Sequence, residues 1–292
     1  MSFSKIAVIG AGVMGQGISQ TVASIGTEVL LLDIDDEHLK LGMKSLSDEM
    51  DREIERWGMT SSEKRAIISR VKTSTDLDDT ADYPLIIEAI PEDLSLKKDL
   101  FARLDQIALP EAIFVTNTST LSITEIAAAS DRPEQVIGLH FLNPVPKIPL
   151  VEIVRGLETS DATYDKVRDF AQSLGKTPVK VFEYPGYVTT RIIVPLLNEA
   201  MHVLMEGVAT ATDIDNAIKL GYGFNIGPLA LADKMGLDVV MDWMENLLRE
   251  LSDHKYNPCP LLRKMVRAEQ LGVKTGQGFF RYDNDGNRIT EE

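Results

Sequence analysis

The stretch KIAVIGAGVMGQGI (5–18) constrains this chain more than any other part of it. A short β-branched apolar run, Ile6 to Ile9, passes directly into three glycines spaced G-x-G-x-x-G, the pattern of a buried parallel strand turning into a helix. Val13 to Ile25 reads as a helix of small residues closed by Gly26, and EVLLLD (28–33) as a second buried strand ending in Asp33. In such a unit each glycine has its own task. Gly10 makes the turn, Gly12 lets the backbone approach a phosphate, and Gly15 lets the helix pack close to the strand. The helix start, at Val13 and Met14, offers unpaired N–H groups and a positive dipole end to an anion. Asp33 is placed to accept hydrogen bonds from a ribose. Asp35, Asp36 and Glu37 follow it with no arginine among them, so a 2′-phosphate would be repelled and NAD is expected over NADP. Read alone, the loop also fits a strand–turn–helix unit with no nucleotide.

Composition sets the outer limits. With 292 residues, 44% of them hydrophobic, the chain can bury a sizeable core in one or two domains. The single cysteine, Cys259, excludes a disulfide framework and a cysteine-rich metal site, and no metal is expected. A net charge of -15 argues against nucleic acid as a partner and favours solubility. No apolar run approaches the roughly 20 residues of a membrane helix. The N-terminus does not read as a signal peptide, and the expected location is the cytoplasm.

Beyond Asp33, residues 36 to 58 read as a helix with Leu39, Met43, Leu46 and Met50 at spacings of three and four. A second helix runs from Ser61 to about Val71, with Thr60 or Ser61 as cap. Strands follow at 85–90, 113–117, 136–141, 150–154 and 176–182, with helices between the earlier ones. This alternation predicts an α/β, Rossmann-like, doubly wound N-terminal domain over 1–184. At Pro185–Gly186 the pattern breaks. Helices at 187–207, 211–219, 228–251 and 260–271 predict an all-α C-terminal domain over 185–292.

Chemistry in dinucleotide-binding sheets gathers at the carboxyl ends of the strands. Asn117 and Ser119 follow the strand IFVT, His140 sits in GLHFLNP, and Glu152 sits inside the apolar run LVEIV. A carboxylate among apolar residues needs a partner. If Glu152 accepts a hydrogen bond from one ring nitrogen of His140, the other is left to exchange a proton with a substrate. A satisfied sheet histidine is the plainer alternative. His38, His202 and His254 have no comparable neighbourhood.

Several segments together carry a resemblance. IGAGVMGQGI, IEAIPEDLSLKKDLF, TNTSTLSITEIA, GLHFLNPVPKIPLVEIVRG, KYNPCPLLRKMVRA and KTGQGFF occur in order along essentially the whole chain. The sequence resembles the L-3-hydroxyacyl-CoA dehydrogenase family, near its bacterial 3-hydroxybutyryl-CoA members. The resemblance implies an NAD-dependent oxidoreductase that interconverts a (3S)-3-hydroxyacyl-CoA and its 3-oxo partner. It makes His140 the general base, oriented and charge-compensated by Glu152, and lets Ser119 bond the substrate oxygen. It places Glu92, Lys97, Asn143 and Lys274 beside the cofactor, adding to Gly10, Gly12, Val13, Met14, Gly15, Asp33, Asn117 and Ser119. It further implies that the helical arm (about 36–71) contacts coenzyme A, with Arg52, Arg56, Lys64, Arg65 and Arg70 as candidate cations. A homodimer formed through the helical domains is also implied.

Two segments depart from the family. PGYVTTR stands where the family has PGFVxNR, so Thr190 replaces an asparagine that faces the substrate, and GFNIGP (223–228) stands for NHPMGP. A hydroxyl is shorter than an amide and has fewer polar ends. These changes leave open a different 3-hydroxy acid or another carrier-bound thioester. A 6-phosphogluconate-type dehydrogenase would need a lysine helix after residue 155 that the sequence lacks. A non-catalytic, crystallin-like NAD-binding protein is the reading of another class, and the joint presence of Ser119, His140 and Glu152 argues against it.

Overall fold

The computed structural model describes residues 3–289 except Trp57 and Asn284. The chain divides into two compact units, Met1–Tyr184 and Pro185–Glu292.

The first unit opens with β1 (Lys5–Ile9), α1 (Val13–Ser24) and β2 (Glu28–Leu32). Next come α2 (Asp36–Glu55), α3 (Ser61–Arg70), β3 (Val71–Ser74), β4 (Leu85–Glu88), α4 (Leu94–Ile107), β5 (Ile113–Thr116) and α5 (Ile123–Ala127). It closes with β6 (Val136–Phe141), β7 (Leu150–Arg155), α6 (Asp161–Ser173) and β8 (Thr177–Phe182). The strands form one sheet in the order β3-β2-β1-β4-β5-β6-β7-β8. Every neighbouring pair is parallel except β6 and β7. The central strands are apolar on both faces, and Ile6, Val8, Leu31, Leu85, Ile87 and Val115 are fully buried. Each such side chain contributes about 1.5–3 kcal/mol by leaving water.

Between α1 and the arm, Leu39, Leu46, Met50 and Ile67 join the same core as Ile18 and Val22. The arm is therefore anchored by its apolar stripe, and its second helix begins with a full capping box between Thr60 and Glu63. Sequence periodicity carries this helix to Val71 and gives no strand there. The structure instead starts β3 at Val71, parallel to β2 at the sheet edge. Only Val71 of that strand is buried, so its polar remainder leaves no alternation to read.

The glycine loop joins β1 to α1. Gly10 has φ +106°, and a Cβ on it would lie 2.5 Å from the Ala89 carbonyl oxygen. A Cβ on Gly15 would lie 1.7 Å from the Gly10 carbonyl oxygen. Both positions exclude any side chain. Gly12 is different: a Cβ there meets nothing within 4 Å.

The second unit is helical: α7 (Thr189–Met205), α8 (Ala211–Tyr222), α9 (Pro228–Met235), α10 (Leu237–Leu251) and α11 (Pro260–Arg267). Val194, Leu197, Leu229, Val240, Met244 and Leu262 form its core. The helix expected over 228–251 is two helices, separated at Gly236 with φ +99°. A continuous apolar period hid that break. The Asp215 carboxylate accepts from the N–H groups of Leu229 and Ala230 at 2.8 and 3.0 Å and so caps α9 from a neighbouring helix. Asp233 accepts from the N–H groups of Phe279 and Phe280 and from the Tyr282 hydroxyl. Among the described residues no helix is long and apolar enough to cross a membrane.

Burial raises the Asp233 carboxyl to about 6, against the pull of those three donors. Its folded value exceeds its unfolded one. Its contribution is therefore fully present below pH 3.8 and lost as pH rises through about 6. The span of that loss is on the order of 3 kcal/mol, at 1.36 kcal/mol per pH unit. Denaturant midpoints measured from pH 4 to 7 should thus favour wild type over Asp233→Asn increasingly as the pH falls. A parallel pH dependence in both proteins would contradict this.

The glycine geometry predicts a split between two substitutions. Gly15→Ala should cost more than about 2 kcal/mol of stability. Gly12→Ala should stay within about 1 kcal/mol yet weaken NADH binding, because only a ligand competes for that space. Thermal melting and titration of NADH fluorescence read the two effects separately.

Candidate active site

Glycine-loop geometry prepares one end of the sheet for an anion. α1 follows Gly12, its N-cap, with no side-chain cap and no acidic residue in its first turn. Gly12 and Val13 are exposed, so the start of the helix is open to a ligand. At the end of β2, one Asp33 oxygen accepts from the Ala11 N–H at 2.6 Å and the other from Ile34 at 2.7 Å. Each oxygen keeps lone-pair capacity for a further donor. The open space at Gly12, the uncapped helix end and this carboxylate fit a dinucleotide. Asp35 caps α2, and Asp36 and Glu37 stand in its first turn, which keeps the ribose end of the loop acidic.

Further along the sheet, the single antiparallel pairing does the work of assembly. The loop from Leu142 to Pro149 reverses the chain, and the register sets His140 directly opposite Glu152. Directly opposed residues share a face of the sheet. His140 Nδ1 lies 2.7 Å from Glu152 Oε2, with both side chains almost wholly buried. On its other side, His140 Nε2 lies 3.1 Å from the Ser119 hydroxyl. Ser119 arrives there because β5 runs parallel to β6, with Thr116 against Gly138 at the end of the ladder. Past that point Asn117 takes over the pairing: its Oδ1 accepts from the Phe141 N–H at 2.9 Å. The residue after His140 is thus pinned by a side chain where backbone pairing stops.

A second cluster supports the turn that carries Ser119. Glu92 Oε1 accepts from the hydroxyls of Thr118 and Thr120 and from the N–H groups of Ser119 and Thr120, all within 2.6–3.1 Å. Lys97 is fully buried, and its ammonium lies 2.5 Å from Glu88 and 3.7 Å from Glu92. Its charge is committed to Glu88, which also accepts from the Thr116 hydroxyl and the Ile90 N–H. Burial pushes the Glu88 carboxyl above its ordinary value, while Lys97 and these two donors pull against it. Sequence reasoning missed Glu88, although a carboxylate inside PLIIEAI carries the same signal that singled out Glu152 in LVEIV.

Asn143 is exposed in the loop after β6. In the second unit, Thr190 is buried in the first turn of α7, and Lys274 pairs with Asp238 at 2.5 Å. Of the arm cations, Arg52 pairs with Glu49, Lys64 with Asp51, and Arg70 donates to the Ala23 carbonyl. Arg56 instead lines a groove of about 530 Å³ with Gln20, Glu53, Met59, Lys147 and Leu174.

Chemically, this arrangement can exchange a proton between a ring nitrogen and a group placed against it. A histidine is held by a buried carboxylate on one nitrogen and faces a hydroxyl with the other, at the end of a sheet whose first loop fits a dinucleotide. Comparison with known proteins gives the family. Residues 5–184 match the family model described as 3-hydroxyacyl-CoA dehydrogenase, NAD binding domain, and residues 186–282 match its C-terminal domain. A probable 3-hydroxybutyryl-CoA dehydrogenase of Bacillus subtilis is 45% identical over 97% of this chain and 99% of its own. The 3-hydroxybutyryl-CoA dehydrogenase of Clostridioides difficile is 46% identical over 96% of this chain and 99% of its own. The crystal structure of (S)-3-hydroxybutyryl-CoA dehydrogenase PaaH1 from Ralstonia eutropha superposes with a TM-score of 0.88 at 42% identity, covering 97% of this chain and 100% of that one. Matched through both units and nearly end to end, the chain belongs to the 3-hydroxyacyl-CoA dehydrogenase family and is an NAD-dependent oxidoreductase.

Proposed function

We propose that this protein interconverts a short-chain (3S)-3-hydroxyacyl-CoA, such as 3-hydroxybutyryl-CoA, and the corresponding 3-oxoacyl-CoA. The observation that carries this reading is the unbroken run Ser119–His140–Glu152, at 3.1 and 2.7 Å. The names of the relatives supply the substrate class. With Nδ1–H donated to Glu152, the lone pair of His140 sits on Nε2, facing Ser119. That nitrogen takes the proton of the 3-hydroxyl, and the Glu152 carboxylate stabilises the imidazolium that results. Ser119 holds the substrate oxygen against Nε2. NAD supplies the hydride acceptor when bound. Gly10, Gly12, Val13, Met14, Gly15 and Asp33 would hold its adenosine and pyrophosphate, and Glu92, Lys97, Asn117, Ser119, Asn143 and Lys274 would border the rest.

The arm binds coenzyme A in this reading, and Arg56 is its contact to phosphate, because it faces the groove beside Lys147. The strand order turns outward from β1 in both directions, which supports a doubly wound sheet. The second unit serves as the substrate and dimerisation domain of a cytoplasmic homodimer. Thr190, in place of the family asparagine, favours a second reading in which the same chemistry acts on a different 3-hydroxy acid or carrier-bound thioester.

A steady-state assay of NADH formation with 3-hydroxybutyryl-CoA tests the proposal directly, and absence of turnover would reject it. In the same assay His140→Gln should lower kcat by ~10²–10⁴-fold, the usual worth of general base catalysis, with NADH binding nearly unchanged. A wild-type rate in that variant would remove His140 from the mechanism.

Arg56→Ala should raise KM for the coenzyme A thioester ~10-fold, the worth of one charge-assisted hydrogen bond. KM for the matching pantetheine thioester, which lacks the nucleotide phosphates, should not move. Equal changes for both thioesters would place the coenzyme A contact elsewhere.

A further inference from the structure

Ser119, His140 and Glu152 carry the proton transfer, and Lys97 borders the cofactor, but its buried partner Glu88 has no part in either. Glu88 and Lys97 are 0% and 1% exposed. A buried pair is weak evidence for stability, since desolvating two ions can outweigh their attraction. Its placement is more telling than its strength. Glu88 ends β4 and reaches in three directions: to Lys97 on α4 at 2.5 Å, to the Thr116 hydroxyl at the end of β5 at 2.6 Å, and to the Ile90 N–H at 2.7 Å. Lys97 in turn donates to the Ile90 carbonyl and stands 3.7 Å from Glu92. Glu92 is the carboxylate on which the Thr118–Thr120 turn hangs by four hydrogen bonds.

We propose that Glu88 is a positioning residue for the reaction: by holding the Lys97 ammonium it keeps that cation from drawing Glu92 off the turn that presents Ser119 to His140. The inference rests on the reading of Ser119 and His140 as the reacting pair. Its logic is electrostatic. Without the Glu88 charge, the buried ammonium is left with the Glu92 carboxylate 3.7 Å away, and attraction at short range in a low-dielectric interior is strong. Glu92 then turns toward Lys97, its bonds to the Ser119 and Thr120 N–H groups lengthen, and the Ser119 hydroxyl leaves its place at His140 Nε2. Glu92 is the intermediary, so a neutral Glu92→Gln, which Lys97 does not pull, breaks the connection.

The test is a double-mutant cycle in the full-length protein with NAD and 3-hydroxybutyryl-CoA, run well below the melting temperature of every variant. Glu88→Gln should lower kcat ~10–100-fold, the scale of an ångström-level misplacement, while the Kd for NADH moves less than ~3-fold. In the Glu92→Gln background the same substitution should change kcat by less than ~3-fold, since its effect passes through Glu92. A crystal structure of Glu88→Gln should show Lys97 paired with Glu92 and Ser119 withdrawn from His140. A folded Glu88→Gln protein with wild-type kcat overturns the inference. So does an equal loss with and without the Glu92 carboxylate, which would be a merely structural effect. If Glu88→Gln does not fold, the double variant Glu88→Met/Thr116→Val, which removes the charge without orphaning the Thr116 hydroxyl, carries the same cycle, and unchanged kcat in it overturns the inference equally. His140→Gln, assayed alongside, separates the two levels. If it is inactive while Glu88→Gln is unimpaired, only the present inference fails. If it turns over at the wild-type rate, the underlying pair is itself misassigned.

Discussion

Placing His140 beside Glu152 inside the sheet is the constraint from which the rest of the first unit follows. A carboxylate 0% exposed is tolerable only with a partner that satisfies it. That partner comes from the neighbouring strand at the same level. Parallel strands would need a long crossover to meet in this register. The chain instead reverses once, between β6 and β7, and this one antiparallel pairing sets the two side chains face to face. The remaining pairings stay parallel, so the ends of β1, β2, β4, β5 and β6 share one edge of the sheet. That edge collects the glycine loop, Asp33, Glu88, Ser119 and His140.

Polar groups at this edge are held in pairs and chains, and each link has a physical reason. Asn117 supplies an acceptor where the β5–β6 ladder has run out. Glu92 gathers the donors of a turn that has no regular secondary structure to satisfy them. Glu88 and Lys97 neutralise one another beneath it. In the second unit buried aspartates do the same for the backbone: Asp215 caps α9, and Asp233 ties down the chain after Gly278. Gly227 and Gly278 leave room for these carboxylates, since a Cβ on either would fall within 2.2 Å of one.

Much of this was legible beforehand. The βαβ opening, the strand succession and the His140–Glu152 pair all follow from residue types at particular spacings. Periodicity erred where local pattern and tertiary context disagree. At Val71 a helix gives way to an edge strand whose polar residues alternate with nothing. At Gly236 one residue with positive φ divides an apolar run that reads as continuous. Lys97 shows a subtler limit: the sequence displays a cation near a cofactor motif and cannot display that the cation is already spent on Glu88.

By itself, then, the sequence determined which local structures form and which residue types can do chemistry, because strand and helix periods and glycine geometry act over a few neighbours. It also set the preference against a 2′-phosphate that is expected of this loop, since Asp33 and its acidic neighbours are adjacent in the chain. Only the tertiary structure decided which polar groups meet. Ser119 stands on the turn after β5 and His140 on β6, and Glu88 finds Lys97 and Thr116 on two other elements. Those partnerships depend on strand order and register, which arise when the whole sheet buries its apolar faces at once.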